Sequence, residues 1–173
     1  MAVNSKSQVK MEITIRSITL IIAIVLTGLS AGLFYAWEVS VIPGTKRIGN
    51  LAYVETMQAI NRAIINPAFM LIFLGSLVAQ TIGTFQYRST NLFWFLLTAT
   101  VTYFVGTILV TALGNVPLND ALDTISIKEL SKTQIASERT HYELRWNRLH
   151  TIRTVFSVLS FILMIVGLFN YSK

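Results

Sequence analysis

Four long apolar runs constrain this chain more than any other feature of its sequence. They lie at about 17–42, 66–84, 91–113 and 151–170. Each is close to or above the roughly 20 mainly apolar residues that a helix needs to cross a bilayer. Because backbone groups in lipid must be satisfied internally, these runs are predicted to be helices. Residues 1–173 are therefore predicted to form one all-α integral membrane domain, an antiparallel four-helix bundle with the lipid bilayer as its partner.

Composition excludes most other classes of protein. The chain is 53% hydrophobic and 13% charged, whereas soluble domains carry about a quarter charged residues. The net charge of +6 is not arranged as a basic run with interleaved aromatic residues, so no nucleic-acid partner is predicted. The lack of cysteine excludes disulfides and thiolate metal sites. His141 and His150 are the two imidazoles left, and no metal site is predicted.

The ends of the first apolar run favour a retained span. Pro43 and Gly44 follow it and are predicted to stop the helix, since proline lacks an N–H and glycine favours helix ends. The run is longer than the roughly 7–15 residues of a signal-peptide core, and no clean small-residue cleavage site follows it. Cleavage as a signal peptide is therefore not predicted.

The two longer polar connections predict a partly helical cap on one side of the bundle. Asn50 is placed to cap a helix over 51–65, which either lies on the membrane surface or leans into the bundle mouth. The segment 114–120 is predicted to be a turn. The helical spacing of later residues predicts that the fourth helix begins near Ser131 and protrudes from the membrane.

Charge near the span ends points in two directions about sidedness. The basic residues Lys6, Lys10 and Arg16 favour an N-terminus inside the cell. A strict count favours the opposite, because the side opposite the N-terminus holds nine Lys and Arg between Lys46 and Arg153, Arg88 being on the N-terminal side. Several of those residues look committed to the folded cap, however. The resulting prediction is a protein of the inner (plasma) membrane with its N-terminus inside.

Small residues recur at intervals of four in two of the spans. Gly28 and Gly32 form one pair, and Gly75, Ala79 and Gly83 form a second series. Small residues let helix backbones approach closely in lipid. They are consistent with packing inside the bundle, which is the commoner use, and also with a homo-oligomer.

Polar side chains near one membrane edge come from all four predicted spans. Trp146, His150 and Arg153 fall at i, i+4 and i+7, so they share one helix face at the start of the fourth span. Ionisable residues at membrane depth are costly and often functional, but asparagines and arginines also tie helices together. A structural cluster and a small-molecule site both remain open. The other members of the cluster are Glu38, Asn61, Arg62, Asn66, Asn115 and Asn119.

Four stretches of the sequence resemble a known family. They are FYAWEVSVIPG at 34–44, MQAINRAIINPAF at 57–69, GNVPLNDAL at 114–122 and ERTHYELRWNRLHTIRT at 138–154. They are similar to the small four-span membrane proteins named anthrone oxygenases, and the likeness covers nearly the whole chain. Fungal members are implicated in oxidising anthrones to anthraquinones, whereas many bacterial members have no assigned activity.

The resemblance implies an oxygenase that needs no cofactor and acts on a lipophilic small molecule. An anthrone is a flat, apolar tricycle with an acidic methylene, and its enolate can pass an electron directly to oxygen. The implied catalytic residues are His150 as the base, with Arg153 and Asn61 as donors to the enolate oxygen. The implied substrate-binding residues are Tyr35, Trp37 and Trp146, which would stack on the ring, together with Asn66, Asn115 and Asn119.

The sequence leaves two questions open. Glu38 stands where the family leads us to expect a small or neutral residue, and it either disturbs the site or supplies a new carboxylate. The alternative function is a non-catalytic membrane scaffold or accessory subunit whose polar cap docks a partner. A pocket walled by Trp37 and Trp146 and floored by Asn61 and His150 would favour a small-molecule site. Close-packed, mutually satisfied side chains in the same place would favour the scaffold.

Overall fold

A computed structural model describes residues 14–171, which form five helices and no strand. Lys6, Lys10 and Lys173 lie outside the described residues. Four of the helices are long and apolar enough to cross a membrane. The helices are α1 (Ile15–Thr45), α2 (Asn50–Ala63), α3 (Pro67–Gln86), α4 (Leu92–Asp123) and α5 (Lys132–Tyr171), with a short 3₁₀ turn at Ile127–Glu129 before α5.

The four long helices form an antiparallel bundle, which confirms the predicted all-α class. Each packs against two others, in the order α1, α3, α4, α5 and back to α1. Leu92, Leu96, Ala99 and Met164 form the buried centre of one end of the bundle. Large aliphatic side chains cover the outside, where a soluble protein would expose polar groups. The protein is therefore an integral membrane protein.

Two of the small residues serve contacts between helices within the bundle. A Cβ atom added to Gly28 would lie 3.0 Å from the ring of Phe161 on α5, and one added to Gly75 would lie 3.3 Å from Leu26 on α1. Both glycines therefore permit close approach of neighbouring helices. A Cβ atom at Gly32 would meet nothing within 4 Å.

Two helices continue past the points where the sequence predicted that they end. α1 runs through Pro43 to Thr45, and α4 runs through the predicted turn at 114–120 to Asp123. A wide π-helical turn precedes Pro43 and another precedes Pro117, at Trp37–Val41 in α1 and at Thr111–Asn115 in α4. The prolines then occupy the first turn of a renewed α-helix, where their missing N–H is not needed. π-Helical turns within α-helices are frequent at functional sites.

The cap is a second packed unit above the bundle. α2 packs onto the mouth of the bundle, since Tyr53, Val54 and Met57 are buried against α4 and α5. Asn50 is not the N-cap of α2, because Gly49 occupies that position. α5 begins at Lys132, as predicted, and Ser131 and Gln134 exchange the capping bonds at its start.

Arg139 fastens the loop between α1 and α2 to α5. Its guanidinium donates to the carbonyl oxygens of Ile48 at 2.6 Å and Thr45 at 3.2 Å. It also pairs with Glu143 at 2.8 Å and lies 4.5 Å above the ring of Tyr53. Burial raises the pKa of Tyr53 above its ordinary value, so its ring packs here as a neutral phenol. The charge and the hydrogen-bond donors of Arg139 are thus satisfied by protein groups within the cap.

Candidate functional site

A cavity of about 370 Å³ lies where the cap meets the bundle. Its volume falls in the range of roughly 300–1,000 Å³ typical of small-molecule sites. Side chains from all five helices line it. They are Leu33, Phe34 and Trp37 from α1; Ile60, Asn61 and Arg62 from α2, followed by Ile64 and Ile65; Phe69, Met70 and Phe73 from α3; Thr111, Val116, Asn119, Asp120 and Asp123 from α4; and Trp146, His150 and Arg153 from α5.

One face of α5 forms the polar and aromatic wall of this cavity. Trp146, His150 and Arg153 are all buried, as their shared helix face predicted. The rings of Trp146 and His150 are stacked, with centroids 5.0 Å apart and planes 7° from parallel. Trp37 of α1 approaches Trp146 at 5.8 Å between centroids. Flat aromatic surfaces therefore meet beside the polar end of the cavity.

Arg153 is a buried cation with no carboxylate partner among the described residues. Its side chain is only 8% exposed. Its Nε and Nη2 atoms donate to His150 Nδ1 at 3.1 and 2.9 Å, and Nη1 donates to Thr111 Oγ1 at 3.4 Å. A guanidinium has five N–H donors, so two are left without a protein acceptor there.

The environment of Arg153 compensates its charge only partly. The guanidinium lies 4.7 Å from the ring centre of Phe34 and 5.1 Å from that of Trp146. Such cation–π contacts contribute about 0.5–2 kcal/mol each. The effective cost of removing one ion from water is several kcal/mol even after relaxation. An anionic group entering the cavity would supply the missing counter-charge.

The contacts of His150 define its tautomer. Because Arg153 donates to Nδ1, that nitrogen must carry a lone pair, and the proton belongs on Nε2. Nε2–H then donates to the carbonyl oxygen of Phe34 at 3.0 Å. His150 is therefore a neutral imidazole with both nitrogens engaged in hydrogen bonds.

Glu38 lies behind His150, away from the cavity lining. Its Oε1 accepts a hydrogen bond from the Thr151 hydroxyl at 2.9 Å. Its Oε2 is buried without a hydrogen-bond partner in the described chain and lies 3.8 Å from His150 Nε2. Glu38 therefore brings a carboxylate next to the imidazole, so that Arg153, His150 and Glu38 follow one another in a row.

Two asparagines orient the aromatic residues of α5. Asn119 Oδ1 accepts from the Tyr142 hydroxyl at 2.9 Å and from Trp146 Nε1 at 2.8 Å. Asn61 Nδ2 donates to the Tyr142 hydroxyl at 3.1 Å. Both asparagines also line the cavity, as their predicted roles require.

Three residues expected to bind substrate do not line the cavity. Tyr35 is 57% exposed on the outer surface of α1, because it is about 100° around the helix from Phe34. Asn66 caps α3 by accepting from the backbone N–H of Phe69 at 3.0 Å. Asn115 lies behind the wall, where its Nδ2 donates to the carbonyl of Trp146 at 3.3 Å.

Sequence reasoning missed several residues of the lining. Phe34 lies one helical turn before Trp37, and Phe69 and Phe73 are spaced i, i+4 at the start of α3. That spacing was the available signal, although it is also the pattern of an ordinary apolar helix face. Thr111 carried no signal, because hydroxyls within spans usually bond to their own helix.

Arg62 and Asp123 form an ion pair of 2.6 Å at the solvent-exposed rim of the cavity.

No three histidine, cysteine, aspartate or glutamate side chains come together as a metal-binding group in the described part of the chain.

Comparison with known proteins agrees with the sequence resemblance. No curated protein and no solved structure matches the sequence significantly. The family model described as anthrone oxygenase matches residues 56–163, more than half of the chain. The protein therefore belongs to the anthrone oxygenase family.

Proposed function

We propose that this protein oxidises a flat, lipophilic aromatic molecule with dioxygen, without a cofactor, in the cavity at the cap end of the bundle. The observation that carries the proposal is Arg153, a buried cation without a carboxylate partner among the described residues, on the wall of an aromatic cavity. Such a group favours a substrate that becomes an anion during the reaction.

The shape of the cap end supports a small-molecule site over a scaffold. Trp37, Asn61, Trp146 and His150 all line one cavity. A purely structural cluster would fill that volume with side chains, because protein interiors pack at crystal-like density. The alternative of a scaffold or accessory subunit has no comparable feature in its favour.

The position of the cavity suits a substrate dissolved in the membrane. Leu33, Ile65 and Met70 line the cavity and are also exposed on the outside of the bundle. A hydrophobic molecule can therefore enter sideways from the acyl chains. Its ring would lie against the stacked Trp146 and His150, where aromatic contacts contribute about 0.5–1.5 kcal/mol beyond burial.

The chemistry follows from the charge that Arg153 stabilises. Loss of a proton from an acidic methylene gives an enolate whose oxygen is held by Arg153 and Asn61. The enolate passes one electron to dioxygen, and the resulting radical and superoxide combine to a peroxide anion. Return of the proton gives a hydroperoxide, which loses water and leaves a ketone. The sum converts CH₂ and O₂ into C=O and H₂O.

His150 is the proposed base, and its activation requires Arg153 to move. The guanidinium of Arg153 donates to Nδ1 and so occupies its lone pair. A substrate oxygen that develops negative charge would draw the guanidinium toward itself and release Nδ1 to accept the proton. Glu38 Oε2, at 3.8 Å from Nε2, would then stabilise the imidazolium. The proton later returns to the peroxide.

The decisive experiment measures oxygen uptake and quinone formation by purified protein with a model anthrone. We expect a rate above spontaneous oxidation for the wild type, and a rate near background for His150→Ala. Tyr35→Ala is the matched control, because Tyr35 is aromatic, belongs to the same motif and lies outside the cavity. A wild-type rate equal to the protein-free rate would overturn the proposed activity on anthrones.

We also propose that the protein resides in the plasma membrane with its N-terminus inside. Arg16 and Arg88 lie together at the end of the bundle opposite the cap. Several basic residues of the cap side, among them Arg62, Arg139 and Arg153, are instead engaged in contacts within the fold, so we give the arginines of the opposite end more weight in the positive-inside rule. The chain has no cysteine, so single cysteines placed in the turn after α3 and in the cap can be labelled in intact cells. Labelling of the turn from outside the cell would reverse the assignment.

A further inference from the structure

A second cavity lies at the opposite end of the bundle from the proposed oxidation site. It has a volume of about 550 Å³ and is open to the surface. Arg16 at the start of α1 and Arg88 in the turn between α3 and α4 both line it. Both arginines are exposed, and two like charges on one cavity favour an anion bound between them.

The protein supplies no such anion among its described residues. Every aspartate and glutamate of the described chain lies in the cap half, from Glu38 to Glu143. Neither Arg16 nor Arg88 forms an ion pair or a hydrogen bond through its guanidinium in that part of the chain. Glu12 lies outside the described residues. Within the described residues, both guanidinium groups are therefore available to an anionic ligand.

The other lining groups indicate what kind of anion fits. Gln86 Oε1 is buried without a hydrogen-bond partner in the described chain, so it needs a donor. Ser89 contributes an exposed hydroxyl. A bare phosphate at neutral pH offers few donors, whereas a phosphodiester that carries free hydroxyl groups satisfies the arginines and Gln86 together.

The lower edge of the cavity is apolar. Ile82 is 46% exposed and Phe85 is 67% exposed on the outer face of α3. Both line the cavity beside the two arginines. Cationic groups above exposed apolar side chains match a lipid, whose phosphate lies at the interface and whose acyl chain extends along the helix.

We propose that this cavity binds one anionic phospholipid with a hydroxyl-bearing headgroup, with its phosphate between Arg16 and Arg88 and an acyl chain on Ile82 and Phe85. Phosphatidylglycerol has this chemistry. The lipid is bound at the end of the bundle remote from the oxidation site. The inference is independent of the proposed activity and is tested without a substrate.

The test measures thermal unfolding of the detergent-purified protein with added phosphatidylglycerol or phosphatidylcholine. Saturating phosphatidylglycerol is expected to raise the midpoint of the wild type by about 5 °C more than phosphatidylcholine does. The double variant Arg16→Gln/Arg88→Gln is expected to lose that difference. The matched control, Arg145→Gln/Arg148→Gln, removes two exposed charges from the cap and is expected to keep it.

Further arms separate a lipid from a free anion. Inorganic phosphate alone is expected to give no comparable shift, and Phe85→Gln is expected to reduce the phosphatidylglycerol shift. Equal shifts with phosphate and with lipid would overturn the lipid assignment. A phosphatidylglycerol shift that survives in Arg16→Gln/Arg88→Gln, or that is absent from the wild type, would overturn the site itself.

Discussion

The middle of the bundle and its cap end both bury polar side chains, but they differ in how completely those side chains are hydrogen-bonded. In the middle, Gln80 donates to Thr27 at 2.8 Å, and Ser160 bonds to Gln80 at 3.4 Å and to the carbonyl of Ala99 at 2.9 Å. The hydroxyl groups of Tyr103 and Ser30 form a hydrogen bond of 2.8 Å. These groups satisfy one another, so they need no ligand.

At the cap end the same kinds of residue leave groups unpaired. Arg153 keeps donors without protein acceptors, and the buried oxygens Glu38 Oε2 and Asn115 Oδ1 have no partner in the described chain. The remaining buried oxygen of this kind, Gln86 Oε1, lines the second cavity. Burial of polar groups in a membrane therefore does not mark a site by itself. Unpaired donors on a cavity wall, such as those of Arg153, do.

The largest expected effect comes from replacing Arg153. Arg153→Met removes the counter-charge of the enolate, and loss of one such group from an oxyanion site costs about 10²–10³ in kcat. Thermal stability is expected to stay equal or rise, since replacing buried charge by apolar volume is often neutral or stabilising. Oxygen uptake and thermal unfolding of the same samples measure both effects. A variant that unfolds while wild-type activity per folded molecule persists would make Arg153 a structural residue.

Arg139→Lys tests the satisfied part of the cap. Lysine cannot reproduce the forked bonds to Ile48 and Thr45 or the flat contact with Tyr53. We expect a loss of about 2 kcal/mol, from two hydrogen bonds of roughly 1 kcal/mol each, with activity per folded molecule unchanged. Unfolding midpoints compared with Arg145→Lys, an exposed control, measure it. An unchanged midpoint would show that Arg139 does not fasten the α1–α2 loop.

Glu38→Gln sharpens the role of the row behind the cavity. The amide keeps the acceptor for Thr151 and removes the charge next to His150. We expect about a tenfold fall in kcat, because the charge acts only on the imidazolium formed during the reaction. The corresponding 1.4 kcal/mol is well below the roughly 4 kcal/mol of a charge pair at this distance in an effective dielectric of 20. The measurement is kcat of Glu38→Gln, with Glu55→Gln as an exposed control. A kcat equal to that of the wild type would remove Glu38 from the mechanism.

The smallest expected effect belongs to the middle of the bundle. Tyr103→Phe keeps the ring and deletes the hydroxyl that bonds to Ser30 and to the carbonyl of Phe73. Hydrogen bonds between membrane helices average about 0.6 kcal/mol, so a loss of roughly 1 kcal/mol is expected with no change in oxidation rate. Ser30→Ala in the same background should add little further. A fall in activity as large as that of Glu38→Gln would erase the distinction between the two regions.

Prediction from sequence succeeded where a pattern is local and periodic. The four spans, the start of α5 and the common face of Trp146, His150 and Arg153 follow from hydropathy and from the 3.6-residue repeat. The predicted helix ends at Pro43 and near Pro117 were wrong, because a π-helical turn before each of these prolines lets the helix continue. Whether a helix forms a π-helical turn depends on how it packs against neighbouring helices, and the local sequence alone does not predict it.

The sequence by itself determined that this protein lies in lipid as a helical bundle, since apolar runs of this length have no other stable form there. It also determined that polar side chains gather at one end, and its motifs pointed to the family. Only the tertiary structure decided which of those side chains face the cavity, placing Asn61 and Asn119 on its wall, Tyr35 on the outer surface of α1 and Glu38 behind His150. The reason is that a helix sequence specifies a face, whereas the neighbours of that face, and whether they fill the space or leave a cavity, depend on how separate helices pack.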